Sequence, residues 1–99
     1  MIDEFNSYRT RMNVRIMDTA DTNIKRFMAL DTTTYAEGAL NVKTKEMLGL
    51  VASMVLRCDD CIKYHLGKCY DEGVSHAEMN EIFMIANLVG GSIVIPHYR

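Results

Sequence analysis

Cys58, Cys61 and His65, in the stretch "RCDDCIKYH", place two thiols three residues apart and an imidazole four residues further on. At about 100° per residue on a helix, the three fall on one stripe. A cysteine at a helix N-terminus has its thiolate favoured by the helix dipole and by unpaired N–H groups. A histidine one turn away can accept or relay the thiol proton, the base-beside-nucleophile arrangement that activates thiols. Thiol–disulfide exchange is one chemistry open to this stretch. Metal binding is the other, because Cys69 brings the soft ligands to four, enough by type for zinc. On one continuous helix Cys58 and Cys69 stand about 16 Å apart along the axis, so the four cannot meet at one ion. A three-ligand site from Cys58, Cys61 and His65 stays open. Cys69 reads as a small buried hydrophobe.

Glu46 lies twelve residues before Cys58, where an apolar run begins. A carboxylate facing a core is costly unless it finds a partner. Lys43, three residues earlier, would offer a surface ion pair instead. On a straight rod Glu46 would sit about 18 Å from Cys58. A chain break near Arg57 would fold two helices together and bring the carboxylate to the thiols.

The elements that must position these groups are helical. Phe5, Tyr8, Met12 and Ile16 recur at helical spacing, predicting a first helix from Asp3 to about Ile16. "DTADT" supplies capping residues for a second, from Thr22 to about Glu37, with Ile24, Phe27, Met28 and Tyr35 inward and Gly38 as stop. Asn41 can cap a third, apolar nearly all round and so read as buried and central. A fourth begins at Cys58, with Asp59 and Asp60 in its first turn, and runs to Glu72 before Gly73. Ser75 and Glu78 have capping-box spacing for a fifth, with Met79, Ile82, Phe83, Ala86 and Val89 on its apolar side, ended by Gly90-Gly91. "SIVIPHYR" is read as a short last helix. There is no hairpin signal, so the fold class is all-α, with five to six helices in a single domain over residues 1–99.

Composition narrows the function. The net charge is −2, without the basic footprint of a nucleic-acid binder. No apolar run reaches the roughly 18 residues of a membrane span. The N-terminus lacks a secretory pattern, which leaves the cytoplasm as the expected compartment. Three cysteines do not suit a secreted disulfide scaffold. Eight methionines in a chain of 99 residues suit an adaptable core completed by self-association. His76 and His97 are expected on the surface, and Tyr35 and Tyr64 in packing roles.

Glu46, then Cys58-x-x-Cys61, then His65 resembles the signature of the AhpD-like (alkyl hydroperoxidase D-like) branch of the carboxymuconolactone decarboxylase superfamily. The flanking "GALNVKTKEMLGL" and "GVSHAEMNEIFMIANLVGG" resemble it too, so the likeness covers about residues 27–97. It implies an all-helical homotrimer or homohexamer with its site near a subunit interface. It implies reduction of a hydroperoxide or exchange with a disulfide substrate, with reducing equivalents from a thiol or a redox protein and with no metal or organic cofactor. In that scheme Cys61 becomes the sulfenic acid, Cys58 supplies a proton and then closes the disulfide, and Glu46 and His65 form the proton relay. The residues themselves leave the first attacker open, since the helix dipole favours Cys58, the more terminal thiol. Asp60 departs from the pattern of some peroxidase members, and an anion there disfavours a thiolate. The chain is also the short, one-domain form, ending at Arg99 where relatives often continue. A redox-responsive assembly module without turnover and a lyase using His65 as base are the alternatives.

Overall fold

The computed structural model describes residues 2–92 and contains five α-helices. By internal packing the chain falls into two compact units, one up to Asn41 and one from Val42 onward.

The first unit carries α1 (Ile2–Thr19) and α2 (Thr22–Tyr35). Asp21 caps α2, its carboxylate accepting the Ile24 N–H at 2.9 Å. The threonine run stays helical because each hydroxyl donates to the carbonyl four residues back: Thr32 to Met28, Thr33 to Ala29 and Thr34 to Leu30. α2 stops at Tyr35, two residues short of the expected end, where the Ala36 N–H turns back to the Thr33 carbonyl. The expected inward stripe of α2 is not buried: no residue of the helix is, and Phe27 is 70% exposed. Tyr8 and Ile16 on α1 are exposed as well. Spacing gives a helix an apolar face; only a packed neighbour buries it.

The second unit holds α3 (Val42–Leu56), α4 (Asp59–Asp71) and α5 (His76–Ser92), with α3 packed against both others. Leu50, Cys69 and Ile82, one from each helix, form the core, with Met47, Met54, Leu66 and Met79 packed around them. α3 is central but not buried all round, since Leu48 and Leu56 face outward. α5 buries Ile82 and Ala86, whereas Phe83 and Val89 stay exposed. Gly90 and Gly91 do not end α5, which continues to Ser92. Of the expected last helix, Ser92 instead ends α5, and the remainder, 93–99 with His97, lies outside the described residues.

Candidate active site

Three side chains on one face of α3 are buried: Glu46, Leu50 and Ser53, at spacings of four and three. Two of the three are polar, which an apolar helix tolerates only where partners wait. Ser53 donates to the Gly49 carbonyl at 2.6 Å. Glu46, 3% exposed, meets His65 across the α3–α4 interface, with Oε2 and Nδ1 2.8 Å apart. His65 is also buried. Among the described residues, no buried side-chain nitrogen or oxygen lacks a partner. The surface pairing of Glu46 with Lys43 does not form; Lys43 reaches α5 and pairs with Glu78 at 3.0 Å.

The chain break needed to make this contact stands at Arg57. The Arg57 N–H bonds the Met54 carbonyl and the Cys58 N–H bonds the Ser53 carbonyl, which together make a Schellman cap on α3. Arg57 carries the left-handed conformation of that cap, φ 59°. The next residue, Cys58, caps α4: its sulfur accepts the Cys61 N–H at 3.3 Å. One short turn thus closes one helix and opens the next, and the opening group is a sulfur of the Cys58–Cys61 disulfide.

Cys58 and Cys61 are joined in a disulfide, Cα atoms 5.2 Å apart, and both are half-buried. Cys61 lies one turn before His65 on α4, so that helix links the sulfur pair to the buried Glu46–His65 pair. Cys69, two turns beyond Cys61, is fully buried in the core as a free thiol. Burial, and then the Glu46 carboxylate, push that thiol up to about 11, so it stays protonated at neutral pH. Among the described residues, no three His, Cys, Asp or Glu side chains converge to hold a metal ion. Asp60 faces solvent, where water screens its charge. Asp59 pairs with Lys63 one turn on, at 3.1 Å. Tyr64 packs edge-on against His65 with Lys68 over its ring, consistent with a packing role. Spacing did not single out Ser53. Its signal was a hydroxyl seven residues after Glu46, on the same face of an otherwise apolar helix.

A profile of the carboxymuconolactone decarboxylase family matches residues 23–97. The chain belongs to that family. The family includes enzymes and the AhpD-like proteins that the Glu46, Cys58, Cys61 and His65 pattern resembles. Two crystal structures of a Thermotoga maritima protein are 53% identical to this chain and cover 97% of it. They superpose with TM-scores of 0.85 and 0.83 over 84% and 81% of that protein's chain. For that family member an involvement in antioxidative response has been suggested. An uncharacterized protein of the cox locus of Paracoccus denitrificans is 30% identical over 60 residues, which is 61% of this chain and 54% of the relative. The match thus spans about half the length of that curated relative. Among the described residues, no helix is long and apolar enough to cross a membrane.

Proposed function

We propose that this family member is a thiol-dependent peroxidase and disulfide oxidoreductase. The observation that carries the reading is the buried Glu46–His65 bond one helical turn from a Cys58–Cys61 disulfide. With Nδ1 engaged by the carboxylate, proton exchange with the thiols falls to Nε2, and Glu46 both orients the ring and balances a charge on it. In the reduced protein His65 takes the Cys61 proton. The Cys61 sulfur attacks the hydroperoxide, the O–O bond breaks, and the alcohol leaves with that proton. The sulfenic acid left on Cys61 is then attacked by Cys58, forming the disulfide and releasing water. Cys58 suits that second role: its sulfur sits at the α4 N-terminus and receives the Cys61 N–H, which favours its thiolate. The same features favour Cys58 as leaving group when an external dithiol attacks Cys61 and restores the reduced pair. That cycle fits a reducing compartment, which we take to be the cytoplasm.

The chain works, in this reading, as a homo-oligomer. Among the described residues sixteen large apolar side chains are exposed, including Leu48, Leu56, Ile85 and Leu88 in the second unit, and self-association would take such surface out of water.

Intact-mass measurement before and after mild peroxide should show loss of two hydrogens, mapped to Cys58 and Cys61. Cys61→Ser should abolish hydroperoxide turnover with a dithiol reductant, and Glu46→Gln should slow it by on the order of a hundredfold. Wild-type rates in both variants would remove the relay.

A further inference from the structure

Arg57, Gly90 and Gly91 break the local rules of helix building, and all three line one cleft. The cleft holds about 590 Å³ between the ends of α3 and α5. Gly90 and Gly91 line it from within α5. Glycine inside a helix costs about 0.5–1 kcal/mol relative to alanine. Among the described residues, no contact repays that cost. Among the described residues Gly73 is the one glycine with positive φ, and a Cβ on Gly90 or Gly91 would meet no atom within 4 Å. Among the described residues, neither a turn nor close packing therefore demands these glycines. Across the cleft the departure is reversed: Arg57 keeps a long side chain at a φ of 59°, where glycine is favoured. Among the described residues its guanidinium forms no ion pair. Met54 and Phe83 give the cleft apolar walls, and Asn87 adds a second polar group. Departures of this kind gather where a protein makes room for a ligand.

We infer that this cleft binds a carboxylate-bearing organic hydroperoxide, its carboxylate on Arg57 and its alkyl part against Met54, Phe83 and the bare backbone of Gly90–Gly91. This rests on the peroxidase reading for the hydroperoxide, though not for the carboxylate. A single guanidinium matches a monoanionic carboxylate in charge and in two-pronged geometry. A dianion fits less well, with Asp59 and Asp60 close by in sequence. The volume suits a small organic ligand. Arg57 lines the cleft and immediately precedes Cys58, so the proposed carboxylate anchor adjoins in sequence the residue that bears one of the two sulfurs. The products are the hydroxy acid and water, with the two thiols oxidised to the disulfide.

Two measurements on the full chain test this separately. Calorimetry with octanoate should show saturable binding that Arg57→Gly weakens by at least about tenfold, the value of one charged hydrogen-bonding contact. Arg57→Gly relieves backbone strain, so lost binding cannot be blamed on unfolding. Gly90→Leu, which fills open space in the cleft, should weaken it too, and Arg57→Lys should retain part of it. No octanoate binding, or binding unchanged in Arg57→Gly, overturns the assignment. The second measurement compares kcat/KM for a medium-chain hydroperoxy acid and for its methyl ester, with a dithiol as reductant. The acid should be favoured by about tenfold, and Arg57→Gly should bring the ratio toward one. Equal rates for acid and ester in the wild type overturn the substrate assignment. Failure of the peroxidase reading has a different signature: neither peroxide is consumed while octanoate still binds at Arg57.

Discussion

The two ends of α4 share a plan and differ in use. Before α4, the Ser53–Cys58 segment closes α3 with paired bonds, Arg57 N–H to Met54 and Cys58 N–H to Ser53. After α4, the Cys69–Val74 segment repeats the pattern, Gly73 N–H to Tyr70 and Val74 N–H to Cys69. The left-handed position is Gly73 in the second turn, at φ 75°, and Arg57 in the first, at φ 59°. Each end also carries cysteine. At the first end Cys58 and Cys61 are half-buried and bonded to each other; at the other Cys69 is sealed in the core. Residue type does not distinguish a reactive thiol from a structural one. Access, a helix N-terminus and a nearby base do, and all three gather at the first end.

The largest stability effect of this contrast should appear in alkali. In the oxidised protein Cys58 and Cys61 do not titrate, which isolates Cys69. Its folded-state value, pushed up to about 11 by burial and by Glu46, lies above the ordinary 9.0. Between those values the unfolded chain has lost the proton and the folded chain still holds it. Stability is therefore fully present below about pH 9 and falls as pH rises toward 11, by roughly 2 kcal/mol across the window. Cys69→Ala should lower stability at neutral pH through the lost packing, but its urea midpoint should decline less steeply across this window. Parallel curves for the two proteins would mean that Cys69 is not sealed.

A smaller effect should separate the two turns by sign. Arg57→Gly should raise stability by about 1 kcal/mol, because glycine adopts the left-handed conformation without steric cost. Gly73→Ala should lower it by about 1 kcal/mol for the same reason, although open space surrounds the new Cβ. Urea midpoints at neutral pH measure both. Shifts of equal sign would show that Arg57 is supported by contacts that Gly73 does not need.

What the sequence made legible follows the range of the interactions concerned. The second turn was readable because Gly73 is a local signal. So were the caps at Asp21 and at Ser75, each completed within three residues. The break at Arg57 was expected only because Glu46 needed to reach the thiols; nothing in an arginine announces a left-handed residue. The Glu46–His65 contact spans 19 positions and came from a family likeness combined with helix geometry. The pairing of Lys43 with Glu78 spans 35 and was missed, since local reasoning offered Glu46 first. Gly90-Gly91 misled for a related reason: glycine permits a helix to stop without compelling it. The apolar stripes of α1 and α2 were read correctly as helical, while their exposure depends on packing that spacing does not encode.

The smallest effect concerns how α4 and α5 begin. α4 starts on a sulfur, a weak acceptor that is also tied into a disulfide. α5 starts on a reciprocal box, the Ser75 N–H donating to Glu78 at 2.8 Å and the Glu78 N–H to the Ser75 hydroxyl at 3.1 Å. The Ser75 N–H, and then the Lys43 ammonium, hold the Glu78 carboxyl below its usual value. A depressed folded value means that the unfolded chain takes up the proton first as pH falls. The contribution of Glu78 is thus present above the ordinary glutamate range and is lost as pH drops through its folded value. Solvent screens this exposed group, so the change should be slight. Glu78→Gln should show a urea midpoint that falls less steeply than wild type below about pH 5. Coincident acid limbs would reduce the box and its lysine to geometry without electrostatic weight. The start of α5 would then be held no more firmly than the sulfur-capped start of α4.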